Sequence, residues 1–169
     1  MAAAGLPVEF GQIDKQNVGQ LRKLNQAVFP IEYGDKFYKD VTEHPEALTK
    51  YAYWNGFVVG AICTRLEPHP TSPNRRRMYI MTLGVLSAYR GRGVGKKLVK
   101  SVMDAFEEES GEGKTYEDVD EIYVHTQTNN NDAVLFYVKG FEFEKGAIVE
   151  NYYKRIEPPN AVILSKKLR

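Results

Sequence analysis

From Arg76 to Thr126 the chain runs through a strand, a glycine-rich turn, a helix and a second strand, and this unit restricts the fold more than any other feature. Arg76–Leu86 is an extended apolar run. Arg90-Gly91-Arg92-Gly93-Val94-Gly95 follows, and Val94, Leu98, Val102 and Phe106 then recur at helical spacing toward Glu109. Glu121–Thr126 reads as the second strand. A strand–helix–strand unit of this length joins parallel strands by a right-handed crossover.

The flanking segments require a mixed α/β architecture. Val8–Ile13 reads as a strand, and Asp14 is the expected N-cap of a helix carrying Val18, Leu21, Leu24 and Val28. Pro30 ends that helix, because it lacks an N–H and disfavours helix at Phe29. Asp35 is the expected cap of a short second helix through Tyr38 and Val41. Lys50–Tyr53 and Phe57–Leu66 flank Asn55-Gly56, a hairpin turn of two residues that tolerate positive φ. Pro68–Asn74 and Ser110–Glu117 read as loops. Ala133, Phe136 and Tyr137 mark a helix ending at Gly140, and Phe141–Glu144, Asn151–Arg155 and Ala161–Lys166 read as late strands. No linker or repeat divides the 169 residues, so one domain over 1–169 is expected, with 1–7 flexible.

A strand entering a helix through glycines is suited to a pyrophosphate. Glycine lets the backbone approach the ligand, and the helix N-terminus presents free N–H groups with partial positive charge. Arg90, Arg92, Lys96 and Lys97 add formal charge. The Gly-Lys-Ser/Thr ending of a phosphate-binding P-loop is missing, and the spacing is not that of a dinucleotide fingerprint. A helix entry with glycines for packing is the remaining structural alternative.

The net charge of +1 gives no bulk attraction to nucleic acid or anionic membrane. Cys63 is the one cysteine, so no intramolecular disulfide forms. No stretch approaches the ~20 apolar residues of a spanning helix, and Met1–Leu6 lacks the basic and apolar regions of a signal peptide. No metal-ligand pattern occurs, and a cytoplasmic setting is expected, extending to the nucleus.

With these residues in place, the sequence resembles the Gcn5-related N-acetyltransferase superfamily. Arg90–Gly95 matches its Arg/Gln-x-x-Gly-x-Gly/Ala signature, and Asn130-Asn131-Asp132-Ala133 with Phe136-Tyr137-Val138-Lys139-Gly140-Phe141 is similar to its second. The resemblance implies a mixed, mostly antiparallel sheet whose central parallel strands splay around acetyl-CoA. It implies cofactor contacts from Leu83, Gly84, Val85, Arg90, Gly91, Arg92, Gly93, Val94, Gly95, Lys96, Asn130 and Tyr137. A backbone N–H around Leu83–Val85 would polarise the thioester carbonyl, with Gly84 marking a bulge, and the Tyr137 hydroxyl would protonate the leaving thiolate.

Leu24–Tyr33, Asp35–Asp40, Met78–Gly84 and Asn151–Pro158 resemble, more narrowly, the catalytic subunits of N-terminal acetyltransferase E. These acetylate the α-amine of proteins that keep Met before a hydrophobic or amphipathic residue. The likeness implies peptide contacts from Phe29, Pro30, Ile31, Tyr33, Tyr152, Tyr153 and Ile156. It also implies a ribosome-associated assembly with a second catalytic subunit and a large auxiliary subunit.

An α-amine with pKa ~8 is mostly protonated at neutral pH and must lose a proton before attack. Strand alternation places Tyr79, Met81 and Leu83 on one face and Tyr123, His125 and Gln127 on one face. Were these strands adjacent, Tyr79 and His125 would approach each other. His125 has the better ordinary pKa for a base, and the resemblance implies that Tyr79 and His125 accept the proton together through an ordered water. Cys63 reads as core, and His44 and His69 carry no role. Alternative readings are a lysine or small-amine acetyltransferase, or a non-catalytic acetyl-CoA-binding subunit. Phe29-Pro30-Ile31 and Tyr152-Tyr153, apolar rather than acidic, weigh against a small-amine acceptor.

Overall fold

Alternation, periodicity and turn residues produce seven strands and four helices among the described residues, 5–43 and 48–168, of the computed structural model. The elements are β1 (Glu9–Gln12), α1 (Val18–Val28), α2 (Asp35–Val41), β2 (Lys50–Trp54), β3 (Phe57–Pro68), β4 (Arg76–Val85), α3 (Val94–Glu108), β5 (Val119–Gln127), α4 (Asn131–Phe141), β6 (Glu144–Val149) and β7 (Ala161–Lys167). The sheet order is β1-β2-β3-β4-β5-β7-β6. As expected, β4 and β5 are parallel, whereas β1–β2, β2–β3, β5–β7 and β6–β7 are antiparallel. The chain divides into two compact units, Met1–Arg65 with Met81–Glu117 and Leu66–Ile80 with Asp118–Arg169.

In the first unit, the β2–β3 hairpin turns at Asn55 (φ 49°) and Gly56 (φ 79°), as the dipeptide requires. Ile13, Leu21, Leu24, Tyr38, Val41, Tyr51, Ala61 and Cys63 form one core cluster. Helix α3 buries Val94, Leu98, Val99, Val102 and Phe106, the stripe its spacing dictates. After α3 the chain turns at Gly111–Lys114, and Tyr116 comes back to stack on Phe106 at 6.1 Å. Leu6 is buried, and its N–H donates to the Arg92 carbonyl at 2.9 Å. Residues 1–4, part of the segment expected to be flexible, lie outside the described residues, as does His44.

Two expected caps fall elsewhere. Asp14 Oδ1 accepts the N–H groups of Gln16 (2.8 Å) and Asn17 (3.0 Å), forming a turn before α1, and Asn17 takes the N-cap position. A short carboxylate satisfies the nearest free amides, which here precede the helix. Gly34 is the N-cap of α2, and Asp35, its first residue, pairs with Arg22 of α1 at 2.8 Å. Phe29, held extended before Pro30 (φ −108°, ψ 142°), ends α1 as predicted.

In the second unit, β5 is registered with β4 from Arg76↔Val119 to Ile80↔Val124 and with β7 from Glu121↔Lys167 to Gln127↔Ala161. Two predicted late strands are corrected. Phe141–Glu144 holds the end of α4, and the left-handed C-cap is Glu142 (φ 62°), two residues beyond Gly140. Lys166 Nζ donates to the Phe141 carbonyl at 2.9 Å and satisfies one of the free carbonyls there. Asn151–Arg155 is a loop, entered through Asn151 at φ 54°. Its Tyr-Tyr pair has strand propensity, but the nearby Pro158 and Pro159 have no N–H for a ladder. The strand lies instead at Glu144–Val149, almost wholly exposed and so without an apolar alternation to read.

Candidate functional site

In the second unit, Tyr79 of β4 lies in register with Tyr123 of β5, so the two side chains rise from the same face. Their rings stack at 4.6 Å, and His125, one alternation further along β5, meets Tyr79 edge-on at 5.4 Å. His125 Nδ1 is 3.0 Å from the Tyr79 hydroxyl. That hydroxyl is also 2.9 Å from the Tyr152 hydroxyl, while the Tyr152 ring lies flat on His125 at 4.2 Å. The structure thus brings Tyr79, His125, Tyr152 and Tyr153 together, Tyr153 meeting Tyr152 edge-on at 4.9 Å.

The electrostatics of the pair follow from its surroundings. Burial holds the His125 imidazole below its ordinary pKa; nearby Arg77 pushes the same way and Glu67 opposes it. Burial, then the hydrogen bond shared with Tyr152 and the charges of the neighbouring tyrosines, drive the Tyr79 phenol well above its ordinary value. At neutral pH both groups are therefore uncharged, His125 able to take a proton and Tyr79 unable to ionise on its own. Burial and Tyr152 push Tyr153 up to about 12.

The loop carrying Tyr152, Tyr153 and the half-buried Ile156 is tied at several points. Asn151 N–H donates to Asn160 Oδ1 (3.0 Å), Tyr153 N–H to the Pro159 carbonyl (2.9 Å), and Gln127 Nε2 of β5 to the Pro158 carbonyl (2.9 Å). Asn130 is the N-cap of α4, its Oδ1 accepting the Ala133 N–H at 3.1 Å. Tyr137 is buried in α4 against Phe143, with ring centroids 5.2 Å apart, and burial raises its phenol. A phenol so raised is a weaker acid than a free tyrosine.

In the first unit, the glycine turn takes the conformation its composition demands. A short 3-10 turn at Ser87–Tyr89 leads to Arg90, whose Nε donates back to the Val85 carbonyl at 3.0 Å. Gly91 (φ 74°) and Gly93 (φ 82°) are left-handed, and a Cβ on either would meet nothing within 4 Å. Gly93 caps α3, so the amides of Val94, Gly95 and Lys96 begin the helix beside open space. Arg90, Arg92 and Lys96 are exposed, whereas the Val94 side chain is core and offers only its backbone. The residues present fit a pyrophosphate.

Strand β4 continues through Leu83, Gly84 and Val85, beyond its last registered pair with β5. Gly84 is closely packed. A Cβ there would lie 3.0 Å from Phe29 Cζ, so glycine is what lets the Phe29 ring seat on β4. Phe29, Ile31 and Tyr33 are half-buried and Pro30 is exposed, with Phe29 edge-on to Tyr33 at 6.0 Å and Tyr33 against Phe37 at 4.6 Å.

Sequence reasoning passed over Glu67 and Arg77. Tyr123 hydroxyl and Arg77 Nε (3.0 Å) both donate to Glu67 Oε1, and the Arg77 guanidinium lies 4.0 Å over the Tyr123 ring. The available signal was alternation, which puts Arg77 on the face of Tyr79. Nothing local marks Glu67. Cys63 is fully buried and its thiol is pushed up to about 12, consistent with core. His69 Nδ1 accepts the Thr71 N–H at 3.2 Å, away from Tyr79 and His125 in the hydrogen-bond network.

Residues 18–143 match the acetyltransferase (GNAT) family. The chain is 48% identical over 162 residues to the probable N-acetyltransferase san of Drosophila melanogaster, covering 96% of this chain and 82% of that protein. It is 46% identical over 162 residues to N-alpha-acetyltransferase 50 of Danio rerio, covering 96% and 89%. The structure of Arabidopsis thaliana Naa50 in complex with the bisubstrate analogue CoA-Ac-MVNAL superposes with a TM-score of 0.81 at 42% identity, over 94% of this chain and 97% of that one. A neutral imidazole hydrogen-bonded to a half-buried tyrosine, a glycine-capped helix and these likenesses agree: the chain belongs to the acetyltransferase (GNAT) family and, within it, to the N-alpha-acetyltransferase 50 (San) group of N-terminal acetyltransferases.

Proposed function

We propose that this protein transfers the acetyl group of acetyl-CoA to the N-terminal α-amine of polypeptides that retain Met before a hydrophobic or amphipathic residue. The observation carrying this reading is the His125 Nδ1–Tyr79 hydroxyl contact of 3.0 Å, with the imidazole held neutral. The bisubstrate analogue bound by the Arabidopsis relative joins CoA to a peptide beginning with Met, which supports the choice of acceptor.

Acetyl-CoA supplies an activated acetyl thioester. The α3 amides, the open glycines and exposed Arg90, Arg92 and Lys96 suit its pyrophosphate. The α-amine arrives mostly as ammonium and has to lose a proton. Tyr79 hands its hydroxyl proton to His125 Nδ1 while taking one from the amine side through an ordered water, so no phenolate forms. A β4 amide within Leu83–Val85 donates to the thioester carbonyl as the freed amine attacks it; the C–S bond breaks, and the coenzyme A thiolate leaves with the proton that the newly acylated nitrogen gives up. Half-buried Phe29, Ile31 and Tyr33 give an apolar surface for the first side chains, and Tyr152 and Tyr153 offer hydroxyls to the peptide backbone. The family resemblance supports the further reading that the protein works in the cytoplasm and nucleus, on the ribosome beside a second catalytic subunit and a large auxiliary subunit.

The test is a panel of peptides beginning Met-Leu, Met-Lys, Ser-Glu and acetyl-Met-Leu, incubated with acetyl-CoA. The two free Met-first peptides are expected to react and the blocked one to stay inert. Preference for Ser-Glu would sink the acceptor assignment.

A further inference from the structure

Glu67 stands at the end of β3, and its carboxylate is mostly buried, with 17% side-chain exposure. A carboxylate there needs strong donors to offset the loss of water. One is the Arg77 guanidinium, whose Nε donates to Oε1 at 3.0 Å. The other is the Tyr123 hydroxyl, which donates to the same oxygen. The ion pair is explained by burial alone. The phenol does something more, because the Tyr123 ring touches both members of the catalytic pair: it stacks on Tyr79 at 4.6 Å and meets His125 edge-on at 5.8 Å.

The polar contacts of Tyr79 include those to His125 and to Tyr152. Tyr152 is 37% exposed and sits on the loop assigned above to the proposed acceptor site, so its contact is open to change when a peptide arrives. Tyr123 is 6% exposed and belongs to the sheet, so its stacking does not. The phenol tip is clasped by a charge-assisted hydrogen bond and the ring is covered by Arg77 at 4.0 Å. Proton transfer requires the hydroxyl to keep its place within roughly 0.5 Å.

We propose that Glu67 is a positioning residue for acetyl transfer: through the Tyr123 hydroxyl it fixes the ring on which Tyr79 stacks, and so holds the Tyr79 hydroxyl at His125 Nδ1. The proposal rests on the reading of Tyr79 and His125 as the proton-accepting pair. The groups facing that pair are Glu67 from β3, Arg77 from β4, Tyr123 from β5, and Tyr152 and Tyr153 from the loop.

The experiment compares Tyr123→Phe, Glu67→Ala and Glu67→Gln in steady-state acetylation of a Met-Leu peptide, beside Tyr79→Phe and His125→Ala. Tyr123→Phe leaves the Glu67–Arg77 ion pair intact, and glutamine keeps an oxygen that accepts the phenol but loses the charge. Tyr123→Phe and Glu67→Ala are expected to lower kcat about ten-fold or more, with both KM values within about two-fold of wild type. Glu67→Gln recovers most of that loss, and the Glu67→Ala/Tyr123→Phe double variant is no slower than the slower single one. Wild-type kcat in Tyr123→Phe overturns the proposal, and so does a Glu67→Gln variant as impaired as Glu67→Ala, which would assign the effect to the ion pair. Where Glu67→Ala fails to fold by thermal melting, Tyr123→Phe decides alone. Unimpaired Tyr79→Phe and His125→Ala would remove the underlying reading together with this one. Impairment of those two beside an unaffected Tyr123→Phe would remove only the role of Glu67.

Discussion

In the proposed mechanism His125 serves as the base, and its surroundings weaken its hold on a proton. Burial and Arg77 lower its pKa from the ordinary 6.5, and Glu67 partly restores it. The proposed base is the neutral imidazole, so kcat is expected to fall as pH falls through the depressed value. The acid limb of a kcat–pH profile is expected below pH 6.5, and Arg77→Gln is expected to move it upward. Tyr79→Phe and His125→Ala should each lower kcat by about a hundred-fold, read by single-turnover kinetics. Full activity in both would remove them from the mechanism. Cys63 marks the opposite extreme: a fully buried thiol pushed up to about 12 is no nucleophile. Cys63→Ala is expected to keep wild-type kcat, and no acetylated enzyme should be seen by mass spectrometry when acetyl-CoA is added without peptide.

The elements set where these groups stand, and two glycines carry separate duties. Gly93 caps α3 at φ 82°, where an alanine costs about 1–2 kcal/mol. Gly93→Ala is expected to weaken acetyl-CoA binding in calorimetry while leaving the peptide KM little changed. Gly84 has an ordinary place in β4, but a side chain there would strike Phe29. Gly84→Val is therefore expected to raise the peptide KM more than the acetyl-CoA KM, and the reverse order would argue against Phe29 as an acceptor contact. Asn130 caps α4, so Asn130→Ala should cost about 1 kcal/mol of stability and Asn130→Asp should restore it, measured by denaturant unfolding. The same element shows where local rules misplace a boundary. Gly140 looked like the helix stop, yet the left-handed residue is Glu142, because Phe141 still belongs to the helix and Lys166 satisfies its carbonyl.

At the scale of the whole molecule, ion pairs join residues far apart in the chain. The run Arg75-Arg76-Arg77 reads in isolation as a solvated loop end or a contact for an acidic partner. In the structure each arginine has its own carboxylate: Asp120 for Arg75, Asp118 for Arg76 at 2.7 Å, and Glu67 for Arg77 at 3.0 Å. What the sequence alone determined is the strand–turn–helix–strand order, the Asn55-Gly56 hairpin and the stop at Phe29-Pro30. Those features follow from φ limits, missing donors and periodicity, which act over a few residues. Tyr79 and His125 were legible only as two faces that would meet if their strands were neighbours. The tertiary structure alone decided that they do, that Tyr152 lies on His125, and that Glu67 holds Tyr123. Tyr79 and Tyr152 are 73 positions apart, Glu67 and Tyr123 56, and Tyr79 and His125 46. Contacts over such separations depend on the register of one strand against another and on where a loop returns, and both are set by packing of the whole sheet.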